Sequence, residues 1–549
     1  MRTRKTHQGL TVQAIAGTNV VLLGFDMMKA SCNGLMGFAL HRTDHTEQEA
    51  YWMEGLKTFE ETDPGLAPGA KYPTNKHPIQ GFTWSDFTAK PGRDYTYRVL
   101  ALKGAPRSLK TVAEVSVRVQ TEAPEGGTHD IYFNRGAAAS QEYARRFGAR
   151  SPGQVGPVAF EWLSRGLYES MTAFISLAKG AGFELRVCAY EFHYTPVLEA
   201  LGAAKKRGAK VRVVYDRRKA NPGAKNDDAI KTAGIKTLCI PRVATPSALL
   251  HNKFIVLLRQ GKAQAVLTGG TNFSEGGIFG HSNAVHIVEE PEIAAAYASY
   301  WELLSKDPEN AKLRPVLSGL YRLPKGKPPK GIGVIFSPRD SLDALTWYAS
   351  LAAGAKDGLF MTFAFGIHAD LQTVYRTSKA GMRFALLEKP TRPMKPGPER
   401  DAEEAKIRKL RAIPENRFAI GTHITLNTFD RWLVEKNSGL NRNVQYVHTK
   451  YMLIDPLGPD PIVVTGSANF SAASTDKNDE NMLVIRGNRR VAEIYLGEFM
   501  RLYNHYAFRE WASRNAKANP KFKHLSTGRW WEDYFGKTER SRQREYFAG

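Results

Sequence analysis

Cysteine is scarce in this chain. Cys32, Cys188 and Cys239 are the three present in 549 residues, and they lie far apart with no CxxC pair. That spacing excludes a disulfide-stapled fold and a zinc ribbon. Long apolar runs are missing too. No stretch approaches the ~18 consecutive apolar residues that a membrane span needs. The basic start Met1–Lys5 is followed by Gln13, Gly17, Asn19 and Asp26 rather than by the unbroken apolar core of a signal peptide. A reducing cytoplasm is therefore the expected location. The Gly269-Gly270 and Gly276-Gly277 pairs do not make a phosphate-binding P-loop, because the GxxxxGK[ST] spacing is absent. None of the candidate histidines named below sits in a metal-ligand spacing, so neither a metal nor another cofactor is expected.

Acidic residues are also in deficit, 54 against 77 lysines and arginines, for a formal net charge of +23. Such an excess points to a polyanionic partner: nucleic acid, an anionic membrane surface or another phosphate-rich ligand. A well-solvated basic surface is the alternative. Hydrophobic residues make up 42% of the chain, which argues for a folded protein, and the length leaves room for roughly two to four domains.

Residues 1–122 read as β-structure. Short apolar alternations at Val20–Phe25, Leu35–Leu40 and Tyr95–Leu102 are separated by Gly, Pro and Asp turns. The stretch Lys90-Pro-Gly-Arg-Asp-Tyr-Thr-Tyr-Arg-Val-Leu-Ala resembles a late strand of a fibronectin type III domain, with Tyr95 in the corner position of such sandwiches. Another small sandwich is the alternative. Residues 123–154 read as a connector, punctuated by Gly126-Gly127 and Pro152-Gly153.

Strand and helix patterns then alternate, with strands at Phe183–Tyr190 and Lys210–Tyr215 and a helix at Pro196–Arg207, which implies parallel strands with crossover helices. The pattern recurs. Phe174-Ile-Ser-Leu-Ala-Lys-Gly-Ala is echoed by Tyr348-Ala-Ser-Leu-Ala-Ala-Gly-Ala, and Lys206-Arg-Gly-Ala-Lys-Val-Arg-Val-Val by Ser378-Lys-Ala-Gly-Met-Arg-Phe-Ala-Leu. Two α/β halves, 155–330 and 331–510, follow from this repeat. The proline-rich, then densely charged Lys389–Arg417 reads as a surface insertion. The extension 511–549 carries Trp530, Trp531, Tyr534, Phe535, Tyr546 and Phe547 among arginines and lysines. It can bind nucleic acid by charge and stacking, or dock its aromatic residues on the core.

The strongest signal lies late in each half. The first half has His251-Asn-Lys253 and then Thr268-Gly-Gly-Thr-Asn272-Phe-Ser; the second has His448-Thr-Lys450 and then Thr465-Gly-Ser-Ala-Asn469-Phe-Ser. Both sets keep the same spacing from histidine to lysine and from histidine to asparagine. Each His-x-Lys begins an apolar, β-branched run, and residues i and i+2 of a strand share a face. A second apolar run before each Thr-Gly can pair with the first and bring the asparagine beside its histidine. Glycine there lets a ligand approach the backbone. Two such sets facing one another surround one phosphate with two imidazoles, two ammonium groups and two amides. One histidine can attack phosphorus and the other can protonate the departing oxygen.

This constellation resembles the HxKxxxxD…GSxN motif of the phospholipase D superfamily. His448, Lys450, Asp455, Gly466, Ser467 and Asn469 match it in the second half. The first half keeps His251, Lys253, Gly269 and Asn272, but has Leu258 at the aspartate position and Gly270 at the serine position. The resemblance implies a fold of two pseudo-twofold-related α/β halves around one active site, here preceded by a small all-β sandwich. It implies a metal-independent phosphodiesterase with a phosphohistidine intermediate, and a structural rather than catalytic role for Asp455. The Lys477-Asn-Asp-Glu480-Asn segment looks like that of the short bacterial endonucleases of the superfamily, where a glutamate at this point hydrogen-bonds the histidine. Its counterpart in the first half is Asn283, or Ser282 with a one-residue shift.

A carboxylate beside His448 is then expected to make it the proton donor, leaving His251 neutral and nucleophilic, in line with the usual first-half nucleophile of the family. Nucleic acid is favoured over phospholipid as substrate, with headgroup hydrolysis or transphosphatidylation as the alternative and peripheral contact with an anionic membrane left open. A third alternative is a binding module without catalysis. His193 and His368 fall at matching places after the first strand of each half and are expected to start helices or fill the core. His281 and His286 lack repeat partners and receive no role. Asp216-Arg217-Arg218-Lys219 reads as solvated loop charge.

Overall fold

The computed structural model describes the chain apart from residues 66–69, 137–139, 149, 393, 424–446 and 516–523. The N-terminal residues form two four-stranded antiparallel sheets. One runs in the order Arg2–His7, Leu10–Ala16, Val21–Met27, Thr83–Asp86; the other runs Ser108–Gln120, Asp94–Ala105, Leu35–Asp44, Glu49–Trp52. Alternate residues of Asp94–Ala105 point inward, so Tyr95, Tyr97 and Val99 share one core with Phe25 and Phe38. Tyr95 is fully buried, and its hydroxyl accepts a hydrogen bond from the Lys90 amide at 2.9 Å, the bond of a corner tyrosine.

Two seven-stranded mixed sheets follow, and they correspond strand for strand. The first has the order His129–Phe133, Ala284–Val288, Lys262–Gly269, Lys253–Arg259, Phe183–Ala189, Lys210–Asp216, Cys239–Arg242. The second has Gly331–Ser337, Glu480–Arg486, Ile462–Gly466, Tyr451–Ile454, Gly358–Phe363, Met382–Leu387, Asn416–Ile420. In each, three neighbouring strands run parallel through crossover helices and the others are antiparallel. The helix expected near Pro196–Arg207 is Thr195–Lys206.

Two expectations are corrected here. The supposed connector 123–154 contains His129–Phe133, which is the outer strand of the first sheet and the counterpart of Gly331–Ser337. The repeat thus starts before 155; a five-residue edge strand between Gly and Pro punctuation has too little pattern to stand out. Lys389–Arg417 is not an added surface segment. Its second part is the helix Pro398–Arg411, at the place of Ala220–Thr232 in the first half. It buries Ile407 and Leu410 and keeps its charges outside.

The halves meet through the helices Pro291–Leu304 and Arg489–Asn515, whose aromatic residues Tyr297, Tyr300, Trp301, Tyr495 and Phe499 enter a core shared by both sheets. Of the described part of the extension, Trp531 joins the core of the N-terminal sandwich, Trp530 donates to the Leu35 carbonyl at 2.8 Å, and Phe547 enters the core between the halves. Docking, the second of the two expected roles, is what these aromatic residues do. Gly24 permits it: a Cβ there would lie 2.1 Å from the Phe547 carbonyl oxygen.

Candidate active site

Each His-x-Lys lies at the entrance of a strand that pairs antiparallel with the strand leading to Thr-Gly. Ile255 faces Leu267 in the first half, and Met452 faces Val464 in the second. This hairpin brings His251 and Asn272 together, and likewise His448 and Asn469. All four line a single cleft of about 1150 Å³ between the halves. Lys253 and Lys450 lie behind them, buried, each ammonium donating to the carbonyl of its own histidine. Glycine at 269 and 466 makes the close approach possible. A Cβ would meet the Ala284 carbonyl oxygen at 2.3 Å in one case and the Asn481 oxygen at 2.2 Å in the other.

The residues before the two histidines cross to the other half. Leu250 forms a parallel bridge with Asp479, and Val447 one with Ser282. The His251 amide donates to the Asp479 carbonyl at 3.0 Å, and the His448 amide to the Ser282 carbonyl at 3.2 Å. Each histidine is therefore oriented by the partner half. Glu480 is bonded to His251, with its carboxylate oxygens 2.9 and 3.0 Å from Nδ1. Asn283 Oδ1 lies 3.1 Å from Nδ1 of His448. The expectation of a carboxylate beside His448 is thus overturned: the acid is on the second half's strand but serves the first half's histidine. Ser467 Oγ donates to Glu480 at 2.6 Å and fixes it. At the matching place Gly270 leaves room for Asn283, whose Oδ1 lies 3.0 Å from where a Cβ would sit.

This reassigns the electrostatics. Glu480 accepts from Nδ1–H of His251, which leaves Nε2 with its lone pair free for attack. Burial holds the His251 pKa below its ordinary value, with Glu480 pulling the other way, so the ring is neutral and nucleophilic at physiological pH. His448 has a neutral amide partner, and burial followed by repulsion from Lys450 lowers its pKa further. An anion beside the ring would offset that repulsion and raise the pKa.

The lysines follow the same rule. Burial pushes Lys253 down to about 8 against the attraction of Glu480 and Glu191, and burial plus repulsion from Lys253 places Lys450 well below the usual lysine range. The two buried ammonium groups repel one another across the site. Asn272 Oδ1 and Asn469 Oδ1 are buried there with no hydrogen-bond partner among the described residues. A pH prediction follows. kcat/KM should fall as pH rises through about 8, when Lys253 in the free protein loses its proton. kcat should hold to higher pH, because bound phosphate stabilises the ammonium. Coincident alkaline limbs in the two profiles would refute it.

Asp455 stands apart from the cleft. Its carboxylate accepts from the amides of Lys356, Asp357 and Gly358 at 2.8–3.1 Å and ties down the turn before the strand Gly358–Phe363. Leu258, its counterpart, is simply buried.

His193 and His368 both line the cleft, and His368 also caps the helix Ala369–Thr377 through the Asp370 amide. His286 is buried against His129, 2.9 Å between ring nitrogens. Sequence reasoning gave no role to His281, yet its ring stacks on His448 at a centroid distance of 4.3 Å, and burial pushes its pKa down to about 3. It is a neutral wall of the site. No repeat partner marked it.

The reading of the Asp216–Lys219 run is corrected at two of its residues, while Lys219 is exposed as expected. Asp216 and Arg218 are buried, and Arg218 and Arg242 both reach Asp479, at 3.0 and 3.1 Å. This cluster welds the halves beside His251. Removing Asp479 leaves the buried Arg218 guanidinium without its carboxylate and Arg242 with Asp307 alone, so Asp479→Ala should cost about 3–5 kcal/mol of stability. Chemical denaturation checks it; an unchanged midpoint would contradict the buried pairing.

Residues 174–304 and 355–503, roughly half of the chain, match the family described as "Cardiolipin synthase, PLD-like domain". No curated protein matches the chain. Among solved structures, phosphatidylserine synthase of Haemophilus influenzae Rd KW20 is similar at 13% identity and TM-score 0.41, over 65% of this chain and 93% of that one. The phospholipase D family member Nuc from Salmonella typhimurium is similar at 26% identity and TM-score 0.21, over 25% of this chain and 86% of its own. Polyphosphate kinase from Porphyromonas gingivalis is similar at 12% identity and TM-score 0.36, over 59% of this chain; the match spans 46% of the kinase.

Proposed function

Because the chain belongs to the family described as "Cardiolipin synthase, PLD-like domain", we propose that it hydrolyses phosphodiesters through a phosphohistidine on His251, with nucleic acid as its substrate. In the first step Nε2 of His251 attacks phosphorus, the bond to the leaving oxygen breaks, and His448 gives that oxygen its proton. In the second, His448 takes a proton from water, the hydroxide attacks phosphorus, and the bond to His251 breaks. Glu480 balances the imidazolium of the phosphorylated ring. The lysines and asparagines hold the non-bridging oxygens, each donor worth on the order of 3 kcal/mol in the transition state. The observation that carries this reading is the single cleft in which His251, His448, Asn272 and Asn469 converge over two buried lysines.

Nucleic acid is favoured by what surrounds the phosphate site. Lys225, Arg392, Lys406 and Lys477 line the same cleft from both halves beside Glu191, Glu403 and Asp476, with Lys406 paired to Glu403 and Arg392 to Glu399, in a chain of net charge +23. Cations continuing past the reacting phosphate suit a chain of phosphates. The family description supports a second reading, attack on a phospholipid headgroup with hydrolysis or transfer to an alcohol.

The purified chain, incubated with EDTA, should cleave one or more of plasmid DNA, single-stranded DNA and RNA. Turnover confined to phosphatidylcholine or phosphatidylglycerol vesicles would overturn the nucleic-acid substrate and leave the phosphodiesterase chemistry standing.

A further inference from the structure

The repeat that aligns the two histidines also aligns two acids for which the reaction has no use. Extending the match of Lys206–Val214 with Ser378–Leu386 by two residues sets Asp216 against Glu388. Each ends, or directly follows, the equivalent strand, Lys210–Asp216 or Met382–Leu387. Both are fully buried. Asp216 Oδ2 accepts from the Leu250 amide at 2.5 Å, and Glu388 Oε2 accepts from the Val447 amide at 2.8 Å. Leu250 and Val447 immediately precede His251 and His448, and they are the residues that bridge to the opposite half.

The same bond is thus made twice by acids of different length. An ionised acceptor on a peptide N–H gives a bond about twice as strong as a neutral pair. We propose that Asp216 and Glu388 are a matched pair of positioning residues, each pinning the peptide from which a histidine hangs and so setting its aim at the phosphate. The inference rests on His251 as nucleophile and His448 as proton donor. Neither acid reaches the reacting atoms. Misplacing a catalytic group by about 1 Å costs on the order of 100-fold in rate.

The two acids should then fail differently, and the leaving group separates them. p-Nitrophenolate departs without a proton, whereas an alkoxide needs one. Glu388→Ala should slow the first step about 10- to 100-fold on the nucleic-acid or lipid substrate that the wild type cleaves. It should change the p-nitrophenolate burst from bis(p-nitrophenyl) phosphate less than about threefold, with KM unaltered. Asp216→Ala should slow both reactions about 10- to 100-fold, because nucleophilic attack is common to them. Glu388→Gln, which keeps the acceptor oxygen, should recover most of the rate. If Glu388→Ala does not fold, Glu388→Asp, one methylene too short to reach Val447, should reproduce the leaving-group-dependent loss. Equal losses on both substrates for Glu388→Ala, or no loss on either substrate for either alanine variant, would overturn the pair as positioning residues. Retention of the burst by His251→Ala would instead sink the phosphohistidine reading beneath it.

Discussion

His251→Ala is expected to lower kcat by at least about four orders of magnitude, the scale seen when a covalent nucleophile is deleted. The loss is larger than for any other single side chain here because no second group can take its place. His448 is bonded through Nδ1 to a neutral amide and stacked on His281; it has the geometry of a proton carrier. His448→Ala should therefore cost about 10²–10⁴-fold, and it should slow departure of the phosphoryl group from His251 as well as its arrival. Alkali-quenched, phosphate-labelled protein, digested and separated at alkaline pH where the P–N bond survives, should carry its label on the peptide containing His251, more heavily in His448→Ala. Label on His448 would reverse the assignment, and full activity in both alanine variants would remove the mechanism altogether.

Glu480→Gln should reduce kcat by about 10³–10⁴-fold while leaving the fold intact, comparable to the effect of neutralising a carboxylate that orients a catalytic histidine elsewhere. The glutamate accepts from His251 Nδ1 and from Ser467 Oγ at once. A glutamine facing that ring can offer its amide N–H, which favours the tautomer with the proton on Nε2 and blocks attack. The carboxylate also stabilises the positive charge that the ring acquires on phosphorylation, and an amide cannot. KM should change little, because Glu480 lies beneath the histidine rather than against the substrate. Single-turnover rates with folding checked by circular dichroism would test this; a loss under tenfold would mean that Glu480 is structural.

Much of this site was readable without coordinates. The spacing of His251, Lys253 and Asn272, matched by His448, Lys450 and Asn469, encodes a hairpin, and a hairpin is a local object: i and i+2 share a face, and the next strand folds back beside the first. Asn283 was one of two residues proposed for the counterpart of Glu480, and Ser282 at that point turned out to supply backbone instead. The repeat as read stops two residues short of Asp216 and Glu388, and a carboxylate at the end of a strand looks like surface until its burial is known. The strand His129–Phe133 and the helix Pro398–Arg411 were misread because one is five residues long and the other is charged over most of its surface.

By itself, the sequence determined the two α/β halves, their paired His-Lys-Asn sets and the phosphodiester chemistry those groups can perform, since each is carried by spacing within one hairpin and by its repetition in the other half. Only the tertiary structure decided which acid serves which histidine. Glu480 and His251 are 229 residues apart, and they meet because the strand ends of the two halves exchange bridges across the pseudo-twofold axis. Local pattern carries no record of that exchange; it is set by how two buried sheets and their central helices pack.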